Sequence, residues 1–179
     1  MKKRVFIISV TIAVLVIELF ILTGCKNNST EKSISEATIN GIKYSLTDSD
    51  SFHGMKFKYE KDAKNFNIKG TTQDNNMVLL YLQDGTDDDL FRIVLNYHKD
   101  TKVSEELKKF DLDESTPTKN YNNIKWYDWY TTEKYKSTII DVYFYQNGND
   151  TYVISFSTPK SSNFDLDSYV KLFMTNISF

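Results

Sequence analysis

The chain has 179 residues, of which 40% are hydrophobic and 26% are charged, and its formal net charge is −2 at pH 7. This mildly acidic balance argues against nucleic acid as a partner and against a polybasic membrane-binding patch. A single cysteine excludes an intrachain disulfide, so the stability of the fold must come from an ordinary hydrophobic core.

The first 24 residues have the parts of a secretory signal. Lys2, Lys3 and Arg4 precede an apolar run over residues 5–22, and the chain becomes polar directly after Cys25. A basic start, an apolar middle and small residues before a cleavage point are typical of a signal peptide. An uncleaved membrane anchor is the alternative, because this run is just long enough to cross a bilayer core of roughly 30 Å.

Residues Leu22-Thr23-Gly24-Cys25 resemble the lipobox of bacterial lipoprotein precursors. The resemblance implies a diacylglyceryl group on the Cys25 sulfur and cleavage on the amino side of that residue. Two acyl chains on one residue, palmitate among the usual fatty acids, hold a protein stably on a membrane. We therefore predict a lipoprotein on the extracytoplasmic face of the cell membrane. A composition rich in lysine and asparagine and poor in arginine is typical of a low-GC Gram-positive bacterium.

Residues 25–41 are predicted to be a flexible tether, because they are polar and show no sustained hydrophobic period. A single domain is predicted over residues 42–179. It opens with strands over residues 42–46 and 55–59, where apolar and polar residues alternate, and a turn at residues 48–51 joins them.

The middle of the chain combines strands with one short helix. Residues 77–82 are continuously apolar and suit a strand buried on both faces, and residues 66–69 are either a short strand or part of a loop. Four aspartates among residues 84–89 indicate a turn rather than a Ca²⁺ loop, because the EF-hand spacing is missing. A strand follows over residues 90–97.

A short helix is predicted over residues 104–110. Ser104 is expected to cap it, and Leu107 and Phe110 are expected to face the core. Residues 111–123 are polar and are interpreted as a loop.

The last third of the chain contains three strands and a helix. The strands are predicted over residues 124–130, 137–146 and 151–158, and a hairpin turn at residues 147–150 joins the last two. Asp165 is expected to cap the closing helix, whose apolar residues recur at helical spacing. We predict an α+β fold: an antiparallel sheet of about six strands with a short mid-chain helix and a C-terminal helix packed on it.

Four segments resemble the PsbP-like family, known from an extrinsic subunit of photosystem II and from bacterial lipoproteins. They are residues 57–59, the aromatic strand at 126–130, the hairpin at 145–149 and the end of the closing helix at 176–179. The resemblance implies a central antiparallel sheet covered by helices, an α/β/α sandwich. The family shares no catalytic motif, so the resemblance implies no active-site residue.

Catalytic signals are scarce in the sequence. It contains no nucleophile elbow, zinc-protease motif, phosphate-binding glycine loop or cysteine nucleophile. His53 and His98 have no shared spacing and are interpreted as exposed loop histidines. We therefore predict a protein without a metal or other cofactor that is not an enzyme.

The aromatic content of the strands at 124–130 and 137–146 is the least ordinary feature of the chain. The predicted binding residues combine rings with one carboxylate: Tyr127, Trp129, Asp141, Tyr143 and Tyr145. With only two helices predicted, the sheet face that carries them is expected to be partly uncovered. The alternative is that the Ser104 helix and the tether cover this face.

These features lead to one functional prediction and one alternative. Tyrosine and tryptophan are favoured in interfaces, so we predict a non-catalytic protein-interaction or accessory module that uses this aromatic face. The alternative is a lipoprotein that binds a small molecule, a glycan or an amphiphile. The identity of the protein partner does not follow from the sequence.

Overall fold

The structure is a computed structural model that describes residues 34–60, 66–71, 75–83, 89–131 and 137–179. The predicted signal peptide, Cys25 and most of the acidic turn at 84–89 lie outside the described residues. The strands are β1 (Glu36–Ile39), β2 (Ile42–Ser45), β3 (Asp48–Phe52), β4 (Met55–Tyr59), β5 (Phe66–Thr71), β6 (Met77–Gln83), β7 (Asp89–His98), β8 (Thr118–Tyr121), β9 (Ile124–Thr131), β10 (Thr138–Asn147) and β11 (Asp150–Pro159). The helices are α1 (Val103–Lys108) and α2 (Leu166–Met174), and a 3₁₀ turn covers Lys160–Ser162.

Seven strands form the main sheet, in the order β5-β6-β7-β11-β10-β9-β8. All of its neighbouring pairs are antiparallel. Two meanders, β5-β6-β7 and β8-β9-β10-β11, meet where β7 pairs with β11. The chain therefore crosses from the centre of the sheet to its β8 edge between β7 and β8, and α1 lies on that crossover. The predicted antiparallel α+β fold is confirmed.

The two faces of the sheet are covered unequally. On one face, here called the α2 face, α2 and the separate hairpins β1–β2 and β3–β4 enclose the main core with strand residues such as Phe91, Ile154 and Phe156. On the opposite α1 face, Val103 and Leu107 of the short helix pack on a small cluster from β10 and β11. Helices on both faces make three layers, and the α1 face has the thinner cover.

Two-residue turns close three of the hairpins. Both residues have positive φ in the pairs Asn40-Gly41, His53-Gly54 and Asn122-Asn123. This is the backbone of the type I′ turn, which matches the twist of the strands that it joins. Asparagine tolerates this region better than most residues, which explains its frequency in these turns.

Three predicted boundaries are wrong. Residues 36–41 of the predicted tether form β1 and its turn, and Ile39 is buried in the core. Residues 48–51 of the predicted turn belong to β3, and β8 lies inside the predicted loop at 111–123. In each case backbone pairing with a neighbouring strand holds a segment whose own apolar pattern is too short to reveal a period.

The helix starts give one correction and one confirmation. Ser104 does not cap α1, because the helix begins at Val103 after Lys102, and no side chain caps it. Asp165 caps α2 as predicted, and its Oδ1 accepts a hydrogen bond from the Ser168 amide at 3.1 Å. The predicted apolar stripe of α2, which includes Tyr169 and Phe173, is fully buried.

The strand β6 is less buried than predicted. Leu80 is buried on the α2 face, but Met77, Val78 and Leu79 are only half-buried. Met77 and Leu79 lie on the thinly covered α1 face, which accounts for their exposure. Across the described ranges, no helix has the length and apolar character needed to span a membrane.

Candidate functional site

The five predicted binding residues do not share a face. In the pairing of β9 with β10, Trp129 lies opposite Val142 and Tyr127 lies opposite Phe144. Residues directly opposite one another point to the same side of a sheet. Tyr127 and Trp129 therefore lie on the α1 face, whereas Asp141, Tyr143 and Tyr145 lie on the α2 face. The prediction of one continuous aromatic face is wrong.

The burial of these residues also differs. Asp141 and Tyr143 are buried, while Tyr127, Trp129 and Tyr145 are half-buried. The ring of Phe110, just after α1, lies 5.2 Å from the Trp129 ring in an edge-on contact. The α1 segment thus covers part of the strand carrying Trp129, as the alternative expected of the Ser104 helix, whereas the described end of the tether, β1, lies on the α2 face. On the other face, the Tyr145 ring packs 4.9 Å from that of Phe179.

Asp141 and Tyr143 instead belong to a polar group inside the protein, here called the β8–β10 cluster: Lys119 and Tyr121 from β8, Asp128 from β9, and Asp141 and Tyr143 from β10. The Tyr143 hydroxyl donates a hydrogen bond to Asp141 Oδ2 at 2.7 Å. Lys119 Nζ lies 3.1 Å from Asp128 Oδ2 and donates to the Tyr143 hydroxyl at 3.3 Å. The Tyr121 hydroxyl lies 3.5 Å from that of Tyr143. The cluster therefore joins acids, a base and two phenols across three strands.

Strand alternation explains how these residues meet. Lys119 lies opposite Trp126 on β9, and Asp128 lies opposite Tyr143 on β10. Each of these residues therefore points to the α2 face, where the fully buried Trp126 ring lies 6.4 Å from the ring of Phe179. The Lys119 side chain is 45% exposed and the Asp128 side chain 12%, so the cluster reaches solvent at the β8 edge.

Burial changes the acid–base properties of the cluster. Burial raises the pKa of Asp141 to about 7, the Tyr143 hydrogen bond opposes this rise, and the neighbouring Asp128 carboxyl adds to it. Burial also raises the pKa of Tyr143, so its hydroxyl stays protonated. Because the Asp128 and Asp141 carboxyls repel one another when both are charged, a raised pKa at one of them is expected.

Three buried polar atoms of this region have no hydrogen-bond partner among the described residues. They are Oδ1 of Asp128, Oδ1 of Asp141 and the indole Nε1 of Trp126. Leaving a buried polar atom without a partner costs about 1–3 kcal/mol, and more when the group is charged. The unpaired atoms distinguish this cluster from an ordinary solvated group of charges.

The sequence interpretation found no converging acid and base groups, and the β8–β10 cluster is the group that it missed. Asp128 follows Trp126 at a spacing of two, and Asp141 precedes Tyr143 at the same spacing. The sequence therefore did contain a signal: a carboxylate two residues from a core aromatic residue lies on the same face of the strand. The pairing of the strands, which the sequence does not display, was needed to bring the carboxylates together.

The two histidines occupy structural contacts. His98 Nδ1 lies 3.5 Å from Oε1 of the buried Glu106, which also accepts a hydrogen bond from Lys109 at 2.6 Å. Burial lowers the pKa of His98, the Glu106 charge raises it and the Lys109 charge lowers it. His53 is exposed in the β3–β4 turn, as predicted, and stacks on the Tyr97 ring at 3.9 Å.

The Tyr97 side chain, on which His53 stacks, is held by a hydrogen bond to Asp150. Its hydroxyl donates to Asp150 Oδ2 at 2.8 Å, and burial together with Asp150 raises the pKa of Tyr97 to about 12. His53 Nε2 lies 2.8 Å from the Asn75 carbonyl oxygen. These contacts tie turns together at one end of the sheet. Within the described chain, no three histidine, cysteine or acidic side chains lie close enough to share a metal ion.

The described residues leave part of the α1 face open. This open half is defined here by two rows of paired residues, of which Trp129, Val142 and Ile140 still pack on the α1 cluster. One row runs Trp129, Val142, Ser155, Val94 and Leu79, and the other runs Thr131, Ile140, Ser157 and Arg92. Val142 is buried under α1, Arg92 is exposed, and the other residues of both rows are half-buried. The open half therefore presents apolar side chains flanked by serines and an arginine.

A separate recess lies at the start of α1, beside the β10–β11 hairpin. It has a volume of about 350 Å³, and its lining includes Asp100, Lys102, Glu114 and Asn149. This volume lies near the lower end of the range for ligand pockets, and the lining is more polar than usual.

Comparison with known proteins leaves the family of this chain open. No family model matches it, and no curated protein matches it. Among solved structures, a Bacteroides thetaiotaomicron protein known from a crystal structure at 1.50 Å resolution is similar over 69% of this chain, with 14% sequence identity and a TM-score of 0.49. The matched region spans 44% of that protein, less than half of its length.

Proposed function

We propose that this chain is a lipid-anchored extracytoplasmic protein of a Gram-positive bacterium, and that its PsbP-like domain is a non-catalytic accessory module. In this proposal the domain binds a protein partner through the open half of the α1 face. The observation that carries the proposal is the unequal cover of the sheet. The α2 face is enclosed by a helix and two hairpins, whereas the open half leaves Trp129, Val94 and Leu79 half-buried.

The composition of the open half suits an interface. Protein interfaces combine an apolar centre with a polar rim and are enriched in tryptophan and arginine. Here Trp129, Val94 and Ile140 supply the apolar part, while Ser155 and Ser157 lie between them and Arg92 lies at the margin. The sheet also provides a rigid base, because each strand that carries the open half, from β6 to β9, is paired on both sides. This surface replaces the aromatic face that the sequence suggested.

The anchoring part of the proposal rests on the Leu22-Thr23-Gly24-Cys25 resemblance. Metabolic labelling with palmitate tests it. The wild-type chain is expected to carry the label in the membrane fraction, and Cys25→Ala is expected to lose the label and the cleavage. A Cys25→Ala chain that is still labelled and processed would contradict the anchoring part and leave the interaction part standing.

Site-specific photo-crosslinking tests the interaction part in living cells. A photo-reactive amino acid at Ser157, on the open half, is expected to capture a defined partner. The same amino acid at Ser161, which is exposed in the 3₁₀ turn after β11, serves as the control position. A partner captured from both positions equally would indicate crowding rather than a surface.

Two serine-to-glutamate variants sharpen this test. Ser155→Glu places a charge between Val142 and Val94 in the centre of the open half, where a docked partner would have to desolvate it. Ser161→Glu adds the same charge outside the surface. Crosslinking from Ser157 is expected to fall at least about tenfold in Ser155→Glu and to persist in Ser161→Glu. Equal crosslinking in both variants would refute the assigned surface.

A second candidate function is binding of a small polar ligand in the recess beside α1. The charged and amide groups of Asp100, Lys102, Glu114 and Asn149 favour a hydroxyl-rich ligand such as a glycan over an amphiphile. Addition of a soluble muropeptide should shift the backbone amide NMR signals of Gly148 and Asn149 if this function holds. Unchanged signals at millimolar muropeptide would count against it.

A further inference from the structure

Asp128 and Asp141 are diagonal neighbours on the adjacent strands β9 and β10. Asp128 lies opposite Tyr143, two residues from Asp141 on the same face of β10. Such diagonal neighbours on one face of an antiparallel pair lie about 7–8 Å apart, and a side-chain hydrogen bond with Asp128 is among the causes that raise the pKa of Asp141. Each directs one oxygen, Oδ2, toward a donor: Lys119 for Asp128 and the Tyr143 hydroxyl for Asp141. The other oxygen of each, Oδ1, is buried and has no partner in the described part of the chain.

A single proton would satisfy both unpaired oxygens. An ionised carboxylate only accepts hydrogen bonds, so two facing carboxylates cannot satisfy one another. A protonated carboxyl becomes a donor. Its hydrogen bond to the neighbouring carboxylate then gives each of the two unpaired oxygens a partner. The same proton also removes the repulsion between two like charges in a poorly hydrated site.

The charges around Asp141 balance only with that proton bound. From β8, Lys119 brings one positive charge and Tyr121 a neutral phenol; from β9 comes Asp128, and from β10 Tyr143. The direct neighbours of Asp141 in the sheet are Phe156 on β11 and Tyr130 on β9. With one carboxyl protonated, Asp128 and Lys119 neutralise one another. With both ionised, the cluster carries one unbalanced negative charge in a site where Asp141 is 1% exposed.

We propose that Asp128 and Asp141 form a proton-binding pair that holds one shared proton, so that the β8–β10 edge of the domain is tightest in mildly acidic surroundings. Burial and the neighbouring Asp128 carboxyl raise the pKa of Asp141 to about 7, which supports this geometry. Loss of the proton leaves a buried charge beside Asp128 and the partly exposed Lys119 of the edge strand β8.

The direction of the pH effect follows from the raised pKa. A carboxyl that is a weaker acid in the folded state stabilises the fold fully below its unfolded pKa, and this contribution is lost as the pH rises through the folded pKa. The pKa of Asp141 is ordinarily 3.8 and is about 7 in the folded protein. The stabilisation is therefore lost between these two pH values and is absent above them. Between pH 5 and pH 8 the folding equilibrium constant is expected to fall about a hundredfold from this pair.

Asp141→Asn tests the proposal, because an amide mimics the protonated carboxyl. Its NH₂ group can donate to Asp128 while its oxygen still accepts from Tyr143, at every pH. Urea unfolding of the full chain in detergent measures the folding equilibrium constant. Between pH 5 and pH 8 this constant should fall about a hundredfold more in the wild type than in Asp141→Asn. Glu114→Gln, which neutralises an exposed acid, should behave like the wild type. The lowered pKa of His98 works in the opposite direction, but it is common to all three chains and cancels in the comparison.

A second measurement on the wild type keeps the proposal testable if Asp141→Asn fails to fold. Titration of carboxyl ¹³C NMR signals should show one aspartate of the pair with a midpoint near neutrality. Parallel pH dependence of the wild type and Asp141→Asn would refute the shared proton. So would two carboxyl midpoints near the ordinary aspartate value of about 3.9.

Discussion

The hydrogen bond from Tyr143 to Asp141 allows a quantitative prediction for the variant Tyr143→Phe. The substitution removes one oxygen and keeps the ring, which packs edge-on against Phe156 at 5.9 Å and against Tyr121 at 5.7 Å. The change therefore tests the hydroxyl alone. Without it, Asp141 Oδ2 loses the donor that lies 2.7 Å away, and Lys119 loses one of the two polar contacts that it makes with described residues.

The expected loss of stability depends on the charge of Asp141. In acid, where Asp141 is protonated, an ordinary neutral hydrogen bond is lost, which costs about 1 kcal/mol. Above the pKa of Asp141, a hydrogen bond to a charged carboxylate is lost, which costs about 1.5–3 kcal/mol. The Tyr143 hydrogen bond lowers the pKa of Asp141, so its removal should raise that pKa further. The destabilisation by Tyr143→Phe should therefore grow by about 0.5–2 kcal/mol between pH 5 and pH 9.

Chemical denaturation of the wild type and Tyr143→Phe across this pH range measures the effect. Tyr121→Phe is the matched control, because its hydroxyl lies at the edge of the cluster, 3.5 Å from that of Tyr143, and does not contact Asp141. We expect the control to lose less than about 1 kcal/mol, with little pH dependence. A cost of Tyr143→Phe that stays constant from pH 5 to pH 9 would show that the hydroxyl does not distinguish the two charge states of Asp141.

Two further predictions concern Lys119 and the start of α2. In Lys119→Gln the positive charge that lowers the pKa of Asp141 is lost, so the neutral-range carboxyl midpoint seen by ¹³C NMR should move upward; an unchanged or lower midpoint would contradict the described contacts. Because Lys119 is 45% exposed, its loss should destabilise the domain by less than about 1 kcal/mol at pH 6. Asp165→Ala removes the cap of α2 and should cost about 1 kcal/mol in denaturant unfolding, whereas Asp167→Ala, which alters an exposed residue of the first turn, should cost clearly less.

Much of the fold could be predicted from local signals. The strands β2, β4, β7, β9, β10 and β11 show alternation or aromatic richness, and α2 combines an acidic cap with helical spacing. The strands β1, β3 and β8 could not be predicted in this way. They are short and polar, and each is held by backbone hydrogen bonds to the strand that follows it in the chain.

The candidate site was predicted only in part. Alternation correctly separated Tyr127 and Trp129 from Trp126 and Asp128 within β9, and Asp141 and Tyr143 from Val142 within β10. Alternation could not decide which set of side chains on β9 shares a face with which set on β10. A slip of one residue in the pairing exchanges the two faces. The observed pairing of Trp129 with Val142 sends Trp129 to the open half and leaves Asp141 in the interior.

The sequence by itself determined the antiparallel α+β class, the closing helix with its Asp165 cap, and the prediction of a lipid anchor at Cys25, because each depends on residues that are neighbours along the chain. Only the tertiary structure decided that Lys119, Asp128 and Asp141 meet, and that the α1 face keeps an open half. Both outcomes depend on strand register and on the short reach of α1. The physical reason is that periodicity records which side chains within one element share a face, whereas burial and pKa depend on what the other elements place against that face.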